Sequence, residues 1–130
     1  MQGFSGHLDL RAYKAGQWVL LNDLSYTAKS GETYTAPKWM ITDLASIPWL
    51  VQPIFGEESR PAGAIHDWLY CSQFTTRKHA DELFREMVEF LGTNKLKSQL
   101  MYAGLRVGGA VAWNKSSGPS PETFALEYGV

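Results

Sequence analysis

The chain has 130 residues, of which 45 % are apolar and 13 % aromatic, enough for the core of one domain and too many for a disordered chain. Its 12 basic and 13 acidic residues are interspersed and give a net charge of −1, so the composition excludes the broad basic face of a typical nucleic-acid-binding protein. The single cysteine, Cys71, excludes a small domain held together by internal disulfides.

The first ten residues lack the basic start and apolar run of a signal peptide. No run of 18 apolar residues predicts a membrane span. We therefore expect a single domain, residues 1–130, that folds in a reducing cytoplasm and has no membrane-spanning segment.

Strand-forming residues dominate the part of the chain between residues 7 and 41. Asn22-Asp23 and residues 29–32 have the composition of tight turns, and Pro37 indicates an edge strand or a bulge. The predicted strands are residues 17–21, 24–28 and 33–41, with residues 8–13 as a candidate fourth. The pattern predicts a small antiparallel sheet.

The helical period begins after Asp43 and extends over residues 47–113. Pro61 suits a first helical turn, Thr76 can cap the next helix, and Gly92 can end it. The predicted helices span residues 47–55, 61–71, 77–91 and 96–113. One apolar stripe on the third comprises Ala80, Phe84, Met87 and Leu91, and one on the fourth comprises Leu96, Leu100, Ala103, Val107 and Val111. We predict an α+β fold in which a bundle of three to four helices follows the sheet, with a loop-like tail at residues 114–130.

Two ionisable side chains beside an apolar helical stripe, His66 and Asp67, are the first candidate site. At 100° per residue, His66 and Tyr70 share the edge of that stripe and Asp67 points further round. Unpaired burial of such groups costs several kcal/mol, and Asp81 on the next helix is placed to pair with His66. A carboxylate on one imidazole nitrogen leaves the other nitrogen as a base. The alternative is a hydrogen-bonded pair that only stabilises the fold.

The loop Thr-Asp-Leu-Ala-Ser-Ile-Pro, residues 42–48, is the second candidate. Polar residues between a strand and a helix commonly cap the helix. Capping needs only one such side chain. A loop with a carboxylate and free backbone carbonyls also suits calcium, and Asp67 can point toward an ion bound there. Arg106 is expected to pair with Asp81 or Asp67, or to extend into water.

Two motifs, HDWLY at residues 66–70 and ADELF at residues 80–84, resemble the two-helix core of phospholipases A2, especially the short bacterial and fungal ones. The resemblance implies that His66 activates the attacking water, that Asp81 orients His66, and that Tyr70 belongs to the catalytic group. The implied calcium ligands are Asp67, Asp43 and the backbone carbonyl of Leu44. Calcium would polarise the ester carbonyl and stabilise the oxyanion.

The chain is also similar, over about residues 17–113, to a family of small uncharacterised proteins of tailed phages and prophages. The shared pattern is TDLASIP at 42–48, HDWLY at 66–70, AD at 80–81, Arg106, GG at 108–109 and Trp113. This resemblance implies a phage or prophage origin and a location in the host cytoplasm or the virion, but no activity.

Two functions of different classes follow. One is a phospholipase A2-like hydrolase that acts on a phospholipid or other ester with calcium. The other is a phage structural or assembly protein that keeps the scaffold without catalysis and has other phage proteins as partners. The presence of His66, Asp67, Tyr70 and Asp81 favours the enzyme. The lack of glycine in residues 42–48, unlike the glycine-rich calcium loop of phospholipases A2, favours the structural protein.

Overall fold

Six short strands precede four helices in the computed structural model, which describes residues 1–43, 56, 59–116 and 124. The strands are β1 (Gly3–Ser5), β2 (Leu10–Ala12), β3 (Trp18–Leu20), β4 (Leu24–Thr27), β5 (Thr33–Ala36) and β6 (Ile41–Thr42). The helices are α1 (Arg60–Ser72), α2 (Arg77–Phe90), α3 (Lys95–Gly108) and α4 (Ala110–Lys115). The predicted α+β class, with strands first and helices after them, is confirmed.

The strands form two antiparallel three-stranded sheets, where we predicted one. One sheet has the order β1-β4-β5 and the other β2-β3-β6. The predicted pairing of β3 with β4 across Asn22-Asp23 is therefore wrong. Both turn residues hold neighbouring loops instead: the Asn22 amide donates to Asp9, and the Asp23 carboxylate accepts from the backbone N–H of Lys38 at 2.7 Å.

The predicted third strand, residues 33–41, is divided at Pro37 into β5 and β6. The Met40 N–H donates to the Pro37 carbonyl, and Trp39 has a positive φ of 74°, so the chain turns here and passes from one sheet to the other. A proline has no N–H to donate to a sheet ladder, which explains why β5 ends immediately before it.

The β4–β5 hairpin provides the face on which the helices pack. Alternate residues of the two strands are buried, and Tyr26 stands opposite Tyr34 across the ladder. Helix α1 contacts β4, β5 and β6, and α2 packs between α1 and α3. The largest fully buried side chains of the core are Leu20, Leu24, Tyr26, Met40, Ile65, Leu69, Phe84, Met87, Val88, Met101 and Leu105.

Local signals place α1 and α2 close to the predicted bounds. Pro61 lies in the first turn of α1, and the helix ends at Ser72, before Gln73, whose φ of 53° is left-handed. The Thr76 side chain accepts from the His79 N–H at 3.1 Å and caps α2. Asn94 caps α3 in the same way through the Lys97 N–H. The predicted fourth helix is interrupted at Gly109, between α3 and α4.

The apolar stripe predicted on α3 faces water. The apolar stripe of a helix in a globular domain ordinarily faces the core. The face of α3 that packs against the core carries Ser98, Met101 and Leu105. Ser98 donates to Glu89 of α2, so a polar contact between helices helps to set this orientation. The exposed members of the stripe are Leu96, Leu100, Ala103, Val107 and Val111.

Two expectations fall on residues outside the described part: the helix at 47–55 and the role of Leu44. In the predicted tail, Phe124 forms a bridge with Met40, and residues 114 and 115 belong to α4. None of the described helices combines the length and the apolar composition needed to cross a membrane.

Candidate functional site

Asp81 is the centre of a buried polar network, with none of its surface exposed. Its Oδ1 lies 2.9 Å from Nε2 of His66 and accepts from the Tyr70 hydroxyl at 2.7 Å. Tyr70, near the end of α1, therefore contacts Asp81 near the start of α2. His66, one turn before Tyr70 on α1, also contacts Phe84, which lies further along α2. This ordering is that of antiparallel neighbours. The predicted hydrogen bond between His66 and Asp81 is confirmed.

Two arginines approach the other carboxylate oxygen of Asp81. Arg106 Nη1 of α3 lies 3.0 Å from Oδ2, and Arg77 Nη1, one helical turn before Asp81 on α2, lies 3.6 Å from it. Arg77 also donates to the backbone carbonyls of Leu105 and Arg106 near the end of α3. The network therefore joins three helices, and Arg106 pairs with Asp81.

The network shifts the pKa of two of its members in opposite directions. Burial alone would raise the pKa of Asp81, but hydrogen bonds from His66, Tyr70 and Arg106 outweigh it and hold the pKa below its usual range. Burial, followed by the hydrogen bond to the Asp81 carboxylate, raises the pKa of Tyr70. Asp81 is therefore ionised and Tyr70 protonated at neutral pH.

His66 is nearly fully buried, with 3 % of its surface exposed, and its ring packs on those of Tyr70 and Phe84. An ionised Asp81 makes Nε2 of His66 the protonated ring nitrogen, an assignment made from the hydrogen-bond partner. In the neutral form of this tautomer, Nδ1 carries the lone pair. This arrangement can accept a proton at Nδ1 and stabilise the resulting imidazolium through Asp81.

A cavity of about 240 Å³ lies beside His66. Asp43 and Asp67 both line it, so the loop after β6 and helix α1 meet at one site, as predicted. Thr42, which is buried, donates a hydrogen bond to Asp67. The remaining described lining residues are Gln17, Ile41, Tyr70, Cys71, Leu105, Gly109, Ala112 and Ser116.

The two aspartates and the Thr42 hydroxyl are hard oxygen donors of the type that calcium prefers. Calcium takes six to eight oxygen ligands, and the described residues contain no group of three or more His, Cys, Asp or Glu side chains placed to hold a metal. The described side chains therefore fit part of a calcium shell. Leu44, the third predicted ligand, lies outside the described residues.

Sequence reasoning did not single out Arg77, and it included Gly109 only in the GG pattern at residues 108–109. The spacing of Arg77 and Asp81 by four residues on one helix was a usable signal, because such pairs are neighbours on the helix surface. The GG pattern gave no structural reason for Gly109. A Cβ at this position would meet the Tyr70 hydroxyl and would lie 2.6 Å from the Leu105 carbonyl oxygen, so only glycine fits beside the network.

Residues 18–105 match the model of a family described as a protein of unknown function, DUF1353. The matched range extends from β3 into α3 and includes His66, Asp67, Tyr70 and Asp81, while Arg106 lies one residue beyond it. No curated protein and no solved structure gives a significant match to the chain.

Proposed function

The chain belongs to the DUF1353 family, whose function is unknown, and we propose from its own site that it is an ester hydrolase of phospholipase A2 type. The observation that carries the proposal is the 2.9 Å contact between Nε2 of His66 and the buried, ionised Asp81, beside a cavity that Asp67 also lines. A base oriented by a buried carboxylate at the wall of a cavity is a recurring arrangement in hydrolysis.

In the proposed reaction Nδ1 of His66 takes a proton from water as the water oxygen attacks the ester carbonyl carbon. When the carbon–oxygen bond to the leaving alcohol breaks, the proton on Nδ1 passes to the leaving oxygen. The products are a carboxylic acid and an alcohol. Asp81 keeps the imidazole oriented and stabilises its transient positive charge, and the hydrogen bonds from His66, Tyr70 and Arg106 keep Asp81 ionised.

Calcium, held in part by Asp43 and Asp67, would supply charge stabilisation at the ester carbonyl oxygen. The cavity is smaller than the roughly 300–1,000 Å³ that is typical of small-molecule sites. It would hold the ester group of a phospholipid and leave the acyl chains outside. The resemblance to phage and prophage proteins supports a phage origin as part of this proposal.

The rival function is a phage structural or assembly protein that keeps this scaffold without catalysis. The two arginines on Asp81 favour this reading. A network that joins α1, α2 and α3 stabilises the fold, and this role explains the network without any catalysis. The exposed apolar stripe on α3 also favours it, because such stripes commonly mark protein interfaces.

The test is His66→Gln, since His66 is buried and alanine would also remove packing. Glutamine can still donate to Asp81 but has no basic nitrogen that could take a proton from water. We expect fatty-acid release from phospholipid vesicles with calcium to fall by about 10²–10⁴-fold, the usual contribution of a positioned base. The matched control is His7→Gln, because His7 is exposed and lies outside this cavity.

Each variant is assayed with calcium or a chelator, and a melting curve is recorded for each. Loss of activity at an unchanged melting temperature supports the enzyme. No release by the wild type with any divalent metal, together with a lower melting temperature of His66→Gln, would contradict it and support the structural protein.

A further inference from the structure

Gln17 lines the cavity at His66 from the strand-rich half of the chain, immediately before β3. The turn that leads into β3 fixes its backbone: the Gln17 N–H donates to the Lys14 carbonyl at 2.8 Å, and the Gln17 carbonyl accepts from the Tyr13 N–H at 3.1 Å. The antiparallel pair of Trp18 with Thr42 directly follows, so Gln17 stands beside the start of the loop after β6. Gln17 and His66 therefore reach the same cavity from different halves of the fold.

Most of the other hydrogen-bond donors in this cavity are already engaged. Each of the three hydroxyl groups in its described lining donates to an acceptor of the protein itself. The donors and acceptors are Thr42 with Asp67, Tyr70 with Asp81, and Ser116 with the backbone carbonyl of Cys71. The Nε2–H of His66 faces Asp81 in the same way. These groups can still accept from a ligand, but their hydrogens are committed.

The Gln17 carboxamide keeps both of its N–H donors. No hydrogen bond among the described residues engages this side chain, which offers two N–H donors and one acceptor oxygen. Asp43 and Asp67 offer only acceptors when ionised, and the Cys71 thiol is a weak donor. Of the described side chains that line the cavity, Gln17 is therefore the one that can give a ligand a strong hydrogen bond.

A strong neutral donor beside a base suits the carbonyl oxygen of an ester. When the water oxygen bonds to the carbonyl carbon, an electron pair of the C=O bond moves onto this oxygen and makes it negative. The pair returns to the C=O bond as the bond to the leaving alcohol breaks. A donor already in place stabilises the negative oxygen more than the uncharged one. The described lining contains no lysine or arginine that could supply this stabilisation instead.

We propose that the side chain of Gln17 donates a hydrogen bond to the carbonyl oxygen of the substrate and stabilises the oxyanion that forms there. This inference rests on the hydrolase proposal and adds to it a catalytic residue from the strand-rich half. The hydrogen bond acts in addition to any positive charge that a metal ion supplies at the same oxygen.

Gln17→Met tests the proposal, because methionine has nearly the same shape and no N–H donor. With a water-soluble short-chain phospholipid and calcium, we expect kcat to fall by about 10²–10³-fold, the usual effect of removing one such donor. KM should change little, because the hydrogen bond strengthens only as the charge develops. The melting temperature should not change, since Gln17 is exposed. Gln99→Met, the same change at an exposed position of α3 outside the cavity, is the control and should retain the wild-type kcat.

A second measurement needs no turnover. A short-chain trifluoromethyl ketone forms a hydrate in water that has the tetrahedral carbon of the intermediate. Calorimetry should show that Gln17→Met binds this ketone about tenfold or more weakly than the wild type and Gln99→Met do.

The two measurements separate the failure of each proposal. A Gln17→Met variant that hydrolyses the ester like the wild type would overturn the role of Gln17 and leave the hydrolase standing. A wild type that binds the ketone through Gln17 but cleaves no ester would contradict the hydrolase and support Gln17 as the donor to a carbonyl ligand. Absence of both ketone binding and hydrolysis in the wild type would overturn both.

Discussion

Asp81 is a carboxylate that the fold buries completely and surrounds with donors. His66, Tyr70 and Arg106 lie within hydrogen-bonding distance, and Arg77 adds a further positive charge at 3.6 Å. A carboxylate buried without such partners would take up a proton, because burial disfavours the charged form. The partners reverse that effect, so the pKa of Asp81 is lowered and its negative charge is available to orient His66.

Because the pKa of Asp81 is lower in the folded state than in the unfolded state, its ionisation stabilises the fold above a pH of about 4, the unfolded pKa. That contribution is lost as the pH falls through the lower folded pKa. We expect Asp81→Asn to reduce the free energy of unfolding at pH 7 by about 3 kcal/mol. This is the lower end of the range for a broken buried ion pair, since both arginines keep some access to water.

Urea unfolding of the wild type and of Asp81→Asn from pH 7 down to pH 2 tests this expectation. The difference between them should be constant above about pH 5 and should shrink below pH 4. Glu82→Gln, at the next position of the same helix but half-exposed, is the control and should change stability little at any pH. A difference that stays constant down to pH 2 would show that Asp81 does not act through its charge.

At the scale of elements, the break between α3 and α4 is part of the site. Gly109 is buried where the two helices meet, and it lines the cavity beside Tyr70. Its φ of −77° is open to any residue, so the need for glycine comes from space and not from backbone conformation. Tyr70, Arg77 and the Leu105 carbonyl occupy the volume that a side chain would need.

We therefore expect Gly109→Ala to destabilise the protein by about 1–3 kcal/mol, the usual cost of overpacking, and to disturb the hydrogen bond from Tyr70 to Asp81. The comparison is Gly104→Ala in the middle of α3, a partly exposed position where alanine favours the helix by up to about 1 kcal/mol. Denaturant unfolding of both variants measures the two effects. Equal stability of Gly109→Ala and the wild type would contradict this account of the close contact.

At the scale of the whole molecule, the cavity forms where the two halves of the chain meet. Ile41, Thr42 and Asp43 come from the end of the strand-rich half, and His66 and Asp67 come from α1. Asp43 belongs to the strand-rich half and Asp67 to the helical half, so neither half contains both aspartates. The candidate calcium site therefore exists only when the strands have packed on α1, beside the His66–Asp81 pair that α1 and α2 form.

A ligand that binds only the folded molecule raises its melting temperature by mass action. If calcium binds between Asp43 and Asp67, the midpoint of thermal unfolding should rise as calcium is added, and by more at higher concentrations. Asp67→Asn should abolish the rise. Asp23→Asn, at an aspartate whose carboxylate accepts from the Lys38 N–H outside the cavity, should retain it. No rise in the wild type at millimolar calcium would leave Asp67 as the hydrogen-bond partner of Thr42 and remove the metal from the proposal.

The sequence by itself determined the positions of α1 and α2 and the contact between His66 and Asp81. These features depend on short-range physics: Pro61 and Thr76 mark helix starts, and the period of 3.6 residues sets which side chains share a face. A short connection between the two helices makes them antiparallel neighbours, so the facing residues could be identified without coordinates.

Only the tertiary structure decided which strands pair and which face of α3 is buried. Pairing of β3 with β2 and β6 depends on contacts between distant residues, and the local turn signal at Asn22-Asp23 could not supply them. Helix α3 has apolar residues on two faces, so its period alone was ambiguous. Polar partners on α2 resolve the ambiguity, because Glu89 accepts from Ser98 and Asp81 pairs with Arg106. These contacts turn Met101 and Leu105 into the core and leave the apolar stripe of Leu96, Leu100 and Val107 in water.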